Sequence, residues 1–321
     1  MSAVTWRRVW PRRSGDPAAG LVLEGNASGR VVAGTAAGPG APVRVRPHDP
    51  RLPDPAPFGG ELIAHRFGKR AVLRRPDGFV KLASARATAI ALARHAELRR
   101  ALRDVPGAPD LVEVLGAAPG VLHLRAATGP DFTTVLTSGA AQANRVAGER
   151  AAQAAAALAA ACAPGLPVHD LTAEVATLHR WVGDATAFGV APPALAAAAR
   201  DAVRAVQHLP PRPLVPAHRD LHDGQVLLGE RVTLLDVDTA ALADPALDVA
   251  NLLAHLDLAA ARGQRTAAAA AEAGVWAGTA DAGAGADPAR VAVLRRLARC
   301  RVVAVHAFRG LAPAAAAELL A

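Results

Sequence analysis

The sequence predicts an α+β protein built as two lobes with a crevice between them. The N-terminal part of the chain contains short apolar runs separated by Gly- and Pro-rich turns, a pattern typical of β-strands. From about residue 142 the pattern becomes almost entirely helical, apart from a loop and a hairpin within residues 214–245. With 321 residues, 52% of them hydrophobic and 20% charged, the chain is long and apolar enough to bury a sizeable core.

Three regions are expected along the chain. Residues 1–57 are predicted as a β-rich N-terminal extension that ends in a proline-rich connector. Residues 58–128 are predicted as an N-lobe, and residues 129–321 as a helical C-lobe that carries two functional loops. The pattern places strands in the first two regions at 20–25, 29–35, 42–47, 61–66, 70–75, 78–83, 111–116 and 120–126, and one helix at about 84–103.

Charge is unevenly distributed between the two ends of the chain. Residues 1–100 hold 18 Lys and Arg against 7 Asp and Glu, whereas residues 101–321 hold 18 against 21. A basic N-terminal third can indicate nucleic acid, but aromatic residues for base stacking are only 3% and no dense basic run exists. A polyphosphate ligand such as a nucleotide fits the same charge. We therefore expect a small-molecule enzyme without nucleic acid or membrane partners.

The remaining bulk features favour a cytoplasmic location. The basic N-terminus has no apolar stretch after it that would make a signal peptide, and no apolar run is long enough to span a lipid bilayer. The two cysteines, Cys162 and Cys300, are isolated in apolar helical context, so no thiol zinc site or redox motif is expected. Both are predicted as buried thiols in a reducing compartment.

The most informative stretch, at residues 218–228, reads HRDLHDGQVLL. It is similar to a kinase catalytic loop, H-R-D-x-x-x-x-N, with Gln225 at the Asn position. Asp236 follows an apolar run, and the segment between the loop and Asp236 reads as strand, turn and strand. Such a hairpin would bring Asp220, Gln225 and Asp236 to the same end of the hairpin.

Two carboxylates and an amide oxygen are hard oxygen donors that suit Mg²⁺. Phosphoryl transfer requires such a set, in which one carboxylate accepts the proton of the attacking hydroxyl and other oxygens hold metal on the phosphates. On this interpretation Asp220 is the catalytic carboxylate, and Gln225 and Asp236 bind the metal.

Upstream residues supply candidates for nucleotide binding. Lys81 lies in a predicted strand, GFVKLA, and Glu97 lies in the helix that follows. An ion pair between such a Lys and a helix Glu can hold the α- and β-phosphates of ATP. The turn HRFGKR adds Gly68, which permits close backbone approach to a phosphate, and the cations Arg66, Lys69 and Arg70.

Together these motifs resemble the aminoglycoside phosphotransferase and choline-kinase-like family, which shares the protein-kinase fold. The resemblance covers roughly residues 58–310 and implies that Asp236 binds metal and that Asp238 occupies a Glu position. The H-x-D-x-H-x-G-Q form of the loop is similar to the maltokinase branch of that family. The residues that carry the resemblance are Lys81, Glu97, HRDLHDGQ at 218–225 and LLDVDTAALADPALDVANLL at 234–253.

The resemblance implies an ATP- and Mg²⁺-dependent phosphotransferase acting on a hydroxyl of a small molecule, with a sugar or amino sugar as the best acceptor. Two alternatives remain open. Gln225 at the Asn position permits a pseudokinase that binds nucleotide without turnover. A metal hydrolase could use the dense H-x-D-x-H-D spacing, but it leaves Lys81 and Glu97 without a role. Its ligands would be His218, Asp220, His222 and Asp223.

Overall fold

The computed structural model describes residues 4–12, 15–281 and 287–321, and it confirms the α+β fold with a β-rich N-terminal part and a helical C-terminal part. Residues 1–3 and 13–14 of the predicted extension and residues 282–286 of the predicted C-lobe lie outside the described residues.

A four-stranded antiparallel sheet opens the chain, with its strands paired in sequence order. Three of the strands are those expected from the sequence, but the first was not predicted, because TWRRVWP mixes charged, apolar and proline residues. The turn after the second strand is closed by a hydrogen bond of 2.8 Å from the Gly29 N–H to Asn26 Oδ1. The strands are β1 Thr5–Pro11, β2 Leu21–Ala27, β3 Arg30–Ala36 and β4 Arg44–Val45.

The second sheet has five antiparallel strands in the order β5-β6-β7-β10-β9. Its first three strands confirm the predicted meander, and the helix that follows confirms the predicted helix at 84–103. The predicted strand at 111–116 is divided, because its first residues leave this sheet. The elements are β5 Glu61–Arg66, β6 Arg70–Arg75, β7 Gly78–Ala83, α1 Ala85–Ala101, β8 Asp110–Leu111, β9 Val114–Ala118 and β10 Val121–Arg125.

Four short strands position the loops of the C-lobe. They are β11 Val215–Ala217, β12 Val226–Leu228, β13 Val232–Leu234 and β14 Ala241–Ala243. Strands β12 and β13 form the predicted hairpin, and β8 adds to it in parallel. Strand β11 pairs with β14, so the loop that leaves β11 and the loop that enters β14 are held side by side.

The helices of the C-lobe pack closely because many of their buried residues are small. Helix α3 lies against α7 with almost no side chain between them: a Cβ added to Gly274 would lie 1.8 Å from the carbonyl oxygen of Arg145. Gly148 and Gly278 allow similar close approach to carbonyl oxygens of the facing helix. Many of the other buried residues of α3 and α7 are alanines. The helices are α2 Phe132–Ser138, α3 Ala141–Ala160, α4 Leu171–Ala187, α5 Leu195–Gln207, α6 Leu247–Ala259, α7 Arg265–Asp281, α8 Pro288–Ala307 and α9 Pro313–Leu320.

Two expectations about the helical region have different outcomes. No helix within the described part of the chain is long and apolar enough to cross a membrane. Cys300 on α8 is buried as predicted, whereas Cys162 is exposed. The prediction for Cys162 is wrong because α3 ends at Ala160 and the cysteine lies in the loop beyond it.

The N-terminal sheet connects the two lobes. Strands β2 and β3 contact β5 of the N-lobe. On the opposite side, Leu21 and Leu23 of β2 belong to the same buried cluster as the C-lobe helices. The Gly15 N–H donates a 2.7 Å hydrogen bond to Asp184 on α4. The sheet therefore forms a wall that extends from the N-lobe to the C-lobe beside the crevice.

Candidate active site

A cavity of about 500 Å³ lies in the crevice between the lobes. Strands of the N-lobe sheet and helix α1 form one wall, and the β12–β13 hairpin forms the other. Apolar side chains cover much of the wall, and a cluster of charged and amide groups forms its polar end, as binding a nucleotide base and its phosphates requires. Arg125, Asp131 and His95 also line the cavity, outside this cluster. The apolar part includes Val72, Leu122, Leu124, Leu227 and Leu234, and the polar end contains Arg70, Lys81, Gln225, Asp236 and Asp238.

Lys81 occupies the centre of the N-lobe sheet, where β7 lies between β6 and β10. Its neighbours Val80 and Leu82 are fully buried on the opposite face, so the alternation of the strand directs Lys81 to the cavity. The Lys81 Nζ lies 2.6 Å from Asp236 Oδ1 and also contacts Asp238.

Asp236 has an unusual backbone conformation, and its carboxylate is contacted by cations from the N-lobe. Its backbone φ of 52° lies in the left-handed region, which few residues other than glycine adopt. Arg70 contacts its second carboxylate oxygen at 3.1 Å. Burial alone would raise the pKa of Asp236, but the charges of Lys81 and Arg70 outweigh burial and hold this pKa well below its usual value. The carboxylate is therefore ionised, as a metal ligand must be.

The loop that carries Asp220 is fixed from helix α6. The Asp248 carboxylate accepts hydrogen bonds from the N–H groups of His218, at 2.7 Å, and Arg219, at 2.8 Å. The Asn251 side-chain amide donates to the Arg219 carbonyl oxygen at 2.9 Å. Arg219 has a φ of 69°, so these three contacts hold a backbone conformation that an arginine rarely adopts alone.

The two functional loops are joined by direct contacts. The His218 ring lies 2.7 Å from the Leu235 carbonyl oxygen, and the Leu235 N–H donates to the Gln225 carbonyl oxygen at 2.9 Å. The structure thus brings Gln225 and Asp236 together at one end of the hairpin. Asp220 is exposed, and within the described part of the chain it forms no ion pair. Asp220 therefore presents a free carboxylate on the loop that also carries Gln225, although Asp220 itself does not line the cavity.

The structure does not form the expected ion pair between Lys81 and Glu97. Instead, Glu97 accepts hydrogen bonds from the Gly165 N–H at 2.9 Å and from Arg100 at 2.7 Å. On α1 it is His95 that faces the cavity, and a residue two positions further lies roughly 200° around the helix. Glu97 therefore faces the loop after α3, and Lys81 takes its acidic partners from the C-lobe.

The β5–β6 turn also differs from expectation. Gly68 has a φ of 74°, but its N–H already donates to Asp49 Oδ2 at 2.5 Å and is not free for a phosphate. The Arg66 guanidinium lies over the Trp10 ring, with 4.9 Å between Cζ and the ring centroid. Lys69 is close enough to Asp236 to interact electrostatically. None of the three turn residues lines the cavity, whereas the next residue, Arg70, does.

The sequence contained enough information to place Arg70 in the cavity beside Lys81. The predicted strands at 70–75 and 78–83 with their short turn imply that Val72 pairs with Lys81, as the structure shows. Since side chains alternate along a strand, Arg70 and Val72 must share a face with Lys81. Arg94 on α1, which the sequence did not indicate, donates to the Asp238 carbonyl oxygen. Its role depends on how α1 packs, which the local pattern does not encode.

The four ligands of the metal-hydrolase alternative do not converge. Within the described residues, the group of possible metal ligands that includes the loop consists of His222, Asp223 and His255, without His218 or Asp220. The His222 and His255 rings are stacked at a centroid distance of 4.6 Å. The His218 ring is engaged by Leu235, so it braces the loop instead of facing an ion.

Comparison with known proteins agrees with the fold and the motifs. The sequence model of the phosphotransferase enzyme family, APH, matches residues 59–292. This match leaves out the N-terminal sheet β1–β4. No curated protein matches the chain in sequence.

Solved structures show the same fold at low identity. The aminoglycoside phosphotransferase APH(3'')-Id from Streptomyces rimosus ATCC10970 is similar with a TM-score of 0.51 and 21% identity, over 75% of this chain and 93% of that chain. The macrolide 2'-phosphotransferase MphH from Brachybacterium faecium is similar with a TM-score of 0.51 and 20% identity, over 82% of this chain and 95% of that chain.

Proposed function

This chain belongs to the phosphotransferase enzyme family and is an ATP-dependent small-molecule kinase, and we propose that it phosphorylates a hydroxyl of a sugar or amino sugar. The observation that carries the proposal is the convergence of Lys81, Asp236 and Gln225 at one end of a nucleotide-sized cavity. The unpaired carboxylate of Asp220 lies on the adjoining loop.

Nucleotide binding uses the whole length of the cavity. The apolar walls suit the adenine base, and the cationic end suits the phosphates. Lys81 and Arg70 are the phosphate ligands in this proposal, with Lys69 as a further cation beside them. Both lysines of the chain are thus assigned to this end, although arginine supplies all its other basic side chains.

The donor set at this end fits Mg²⁺. The Asp236 carboxylate is ionised, and Gln225 contributes an amide oxygen from the same wall of the cavity. In this proposal these two residues hold the ion, and Asp238 is the nearest further carboxylate. A bound Mg²⁺ neutralises charge on the nucleotide phosphates.

Asp220 acts on the acceptor. As an exposed carboxylate without an ion-pair partner among the described residues, it is free to accept a hydrogen bond from a substrate hydroxyl and then its proton. Asp248 and Asn251 position it indirectly, because they hold the backbone of the two preceding residues. The hydroxyl oxygen then attacks the γ-phosphorus as its proton passes to Asp220, and the bond between the γ-phosphorus and the β,γ-bridging oxygen breaks to release ADP.

A coupled ADP-release assay with a panel of sugars and amino sugars tests this proposal. Acceptor-dependent ADP formation that Asp220→Asn abolishes supports a working kinase. ATP binding without ADP formation above the Asp220→Asn level, for every acceptor, supports the pseudokinase alternative instead. Calorimetric titration of ATP with and without Mg²⁺ provides the binding measurement independently of turnover.

A further inference from the structure

Two arginines contact the ring of one tryptophan where the N-terminal sheet meets the C-lobe. Trp10 of β1 is buried, and its ring centroid lies 4.9 Å from the Arg66 Cζ and 5.9 Å from the Arg309 Cζ. Arg66 ends β5 of the N-lobe, and Arg309 follows α8 of the C-lobe. We call these three residues the Trp10 clamp.

The two guanidinium groups of the Trp10 clamp have no counter-charge of their own. Among the residues that the structure describes, neither Arg66 nor Arg309 forms an ion pair, and the buried Arg309 Nε has no hydrogen-bond partner. The nearby carboxylate of Glu24 is already engaged, by Arg8 at 3.4 Å and by the His65 N–H at 2.6 Å. Partly buried guanidinium groups without a partner are costly, and an anion would relieve that cost.

Other groups around the Trp10 clamp make the positive charge stronger. Arg262 lies beside it and donates to His306 Nδ1 at 2.9 Å, which requires this imidazole to be neutral. Burial, and then the charges of neighbouring arginines, lower the pKa of both Arg66 and Arg309 to about 10. Arg309 is also close enough to Asp220 to interact with it electrostatically, so the clamp adjoins the catalytic loop.

We propose that the Trp10 clamp binds an anionic group, a phosphate or a carboxylate, of the acceptor substrate. The inference rests on the proposed kinase function and narrows its acceptor to an anionic sugar-like compound, in contrast to a polycationic amino sugar. The nucleotide phosphates already have Lys81 and Arg70, so the clamp beside Asp220 is left for the acceptor. Planar guanidinium groups match phosphate and carboxylate in pairs of hydrogen bonds.

This assignment gives the N-terminal sheet a role in specificity. Trp10 comes from β1, which lies outside the segment that the family match covers. Its ring holds both guanidinium groups through contacts between cations and its aromatic face. Arg66 is accordingly assigned to the acceptor, although its sequence context had suggested the nucleotide.

Calorimetric titration of the full chain, saturated with Mg²⁺ and a non-hydrolysable ATP analogue, tests the clamp. The titrants are inorganic phosphate, glucose 6-phosphate and glucuronate, with glucose as the neutral reference and streptomycin as the polycation. We expect at least one anion to bind more tightly than glucose, and Arg309→Gln to weaken it by roughly tenfold to a hundredfold, the usual effect of losing a charged hydrogen bond. Arg66→Gln should weaken anion binding similarly. Arg309→Lys should lose less anion affinity than Arg309→Gln, because lysine keeps the positive charge.

Arg30→Gln is the matched control, since Arg30 is an exposed residue of the same N-terminal sheet. It should leave anion affinity unchanged. Tighter binding of phosphate and glucose 6-phosphate than glucuronate identifies a phosphate site, and the reverse order identifies a carboxylate site. Anions that bind no better than glucose, or an Arg309→Gln variant that keeps its anion affinity, overturn the proposal. Failure of the analogue itself to bind contradicts the kinase function instead. The melting temperature of each variant without ligand verifies folding.

Discussion

Lys81 Nζ and Asp236 Oδ1 lie 2.6 Å apart, so the central strand of the N-lobe sheet is joined to the loop after β13 by a direct ion pair across the crevice. The side chains are 12% and 26% exposed, so the pair is only partly screened by water. In the proposed mechanism both groups have other partners during catalysis, because Lys81 contacts the phosphates and Asp236 binds the metal. We interpret the pair as a resting arrangement that ATP and Mg²⁺ replace.

Replacing Lys81 should therefore affect nucleotide binding, whereas replacing Glu97 should not. We expect Lys81→Ala to raise KM for ATP roughly tenfold to a hundredfold, because a charged contact to the phosphates is lost. Glu97→Ala should leave this KM unchanged and lower the free energy of unfolding, because the Gly165 N–H loses its acceptor. Steady-state kinetics and urea denaturation measure the two effects. An equal rise in KM for ATP in both variants would instead support the ion pair between Lys81 and Glu97 that the sequence predicts.

The difference between Lys81 and Glu97 shows what local sequence can and cannot specify. Lys81 is placed by strand alternation, which the sequence displays directly in GFVKLA. Glu97 depends on the rotation of α1 against the sheet, and that rotation is set by tertiary packing. Like Lys81, Gln225 and Asp236 are placed by a local feature, the β12–β13 hairpin, and both line the cavity. Asp220, which was predicted at the same end of the hairpin, does not line the cavity.

The N-terminal sheet marks the other limit of sequence reasoning. Its strands β2 and β3 follow the predicted pattern, but nothing in the sequence indicated that the Trp10 ring would contact both Arg66 and Arg309. These residues are distant along the chain, and their meeting depends on how the sheet docks on both lobes. Local periodicity contains no information on such docking.

Asp220 should matter to the chemical step more than to nucleotide binding. We expect Asp220→Asn to reduce kcat on the order of 10²–10⁴-fold, because the acceptor hydroxyl loses its proton acceptor. KM for ATP should change little, since Asp220 does not line the cavity. The control is Asp201→Asn, which changes an exposed carboxylate on α5. Near-normal kcat in Asp220→Asn would remove this residue from the mechanism.

Tight Mg²⁺ binding should require a side chain of the natural length at Gln225. Its backbone is fixed on both sides, by hydrogen bonds of 2.9 Å from its own N–H to the His222 carbonyl oxygen and from the Leu235 N–H to its own carbonyl oxygen. The loop therefore cannot move to compensate for a shorter side chain. Gln225→Ala should raise the Mg²⁺ concentration for half-maximal activity, and Gln225→Asn should do so less.

Mg²⁺ titrations at saturating ATP separate the possible outcomes for Gln225. The control, Gln207→Ala at the exposed end of α5, should keep the natural Mg²⁺ dependence. Higher turnover in Gln225→Asn than in the natural protein would mean that the site is already impaired. An unchanged Mg²⁺ dependence in both Gln225 variants would mean that this residue is not a metal ligand.

Two glycines on helices should respond to alanine in opposite directions. The Cβ of Gly274→Ala would lie 1.8 Å from the Arg145 carbonyl oxygen, so α3 and α7 would have to separate. We expect this variant to lose about 1–3 kcal/mol of unfolding free energy, or more, through overpacking. Gly183 on α4 has open space around its Cβ position, and Gly183→Ala should gain about 0.5–1 kcal/mol. Urea denaturation measures both, and a stable Gly274→Ala protein would contradict the close approach of α3 and α7.

The last prediction concerns His306, which makes the stability of the C-lobe dependent on pH. Burial, followed by the charges of Arg309 and Arg262 and by the histidines 255 and 222, lowers the pKa of His306 to about 3. An unfolded chain has a histidine pKa of about 6.5, so on acidification the unfolded state binds this proton first. The contribution of His306 to stability is thus fully present above about pH 6.5, and it is lost as the pH falls towards 3, at up to about 1.4 kcal/mol per pH unit.

Replacing His306 with glutamine should remove this dependence while it keeps an acceptor for the Arg262 hydrogen bond. The plot of unfolding free energy against pH should then become flatter between pH 4 and 6, by about 1.4 kcal/mol per pH unit relative to the natural protein. Urea denaturation at several pH values across this interval gives both slopes. Parallel slopes would show that His306 takes up its proton in the folded state as readily as in the unfolded state. A strongly positive environment must oppose a further positive charge on His306. Parallel slopes would therefore mean that the positive potential beside the Trp10 clamp is weaker than the positions of Arg262 and Arg309 imply.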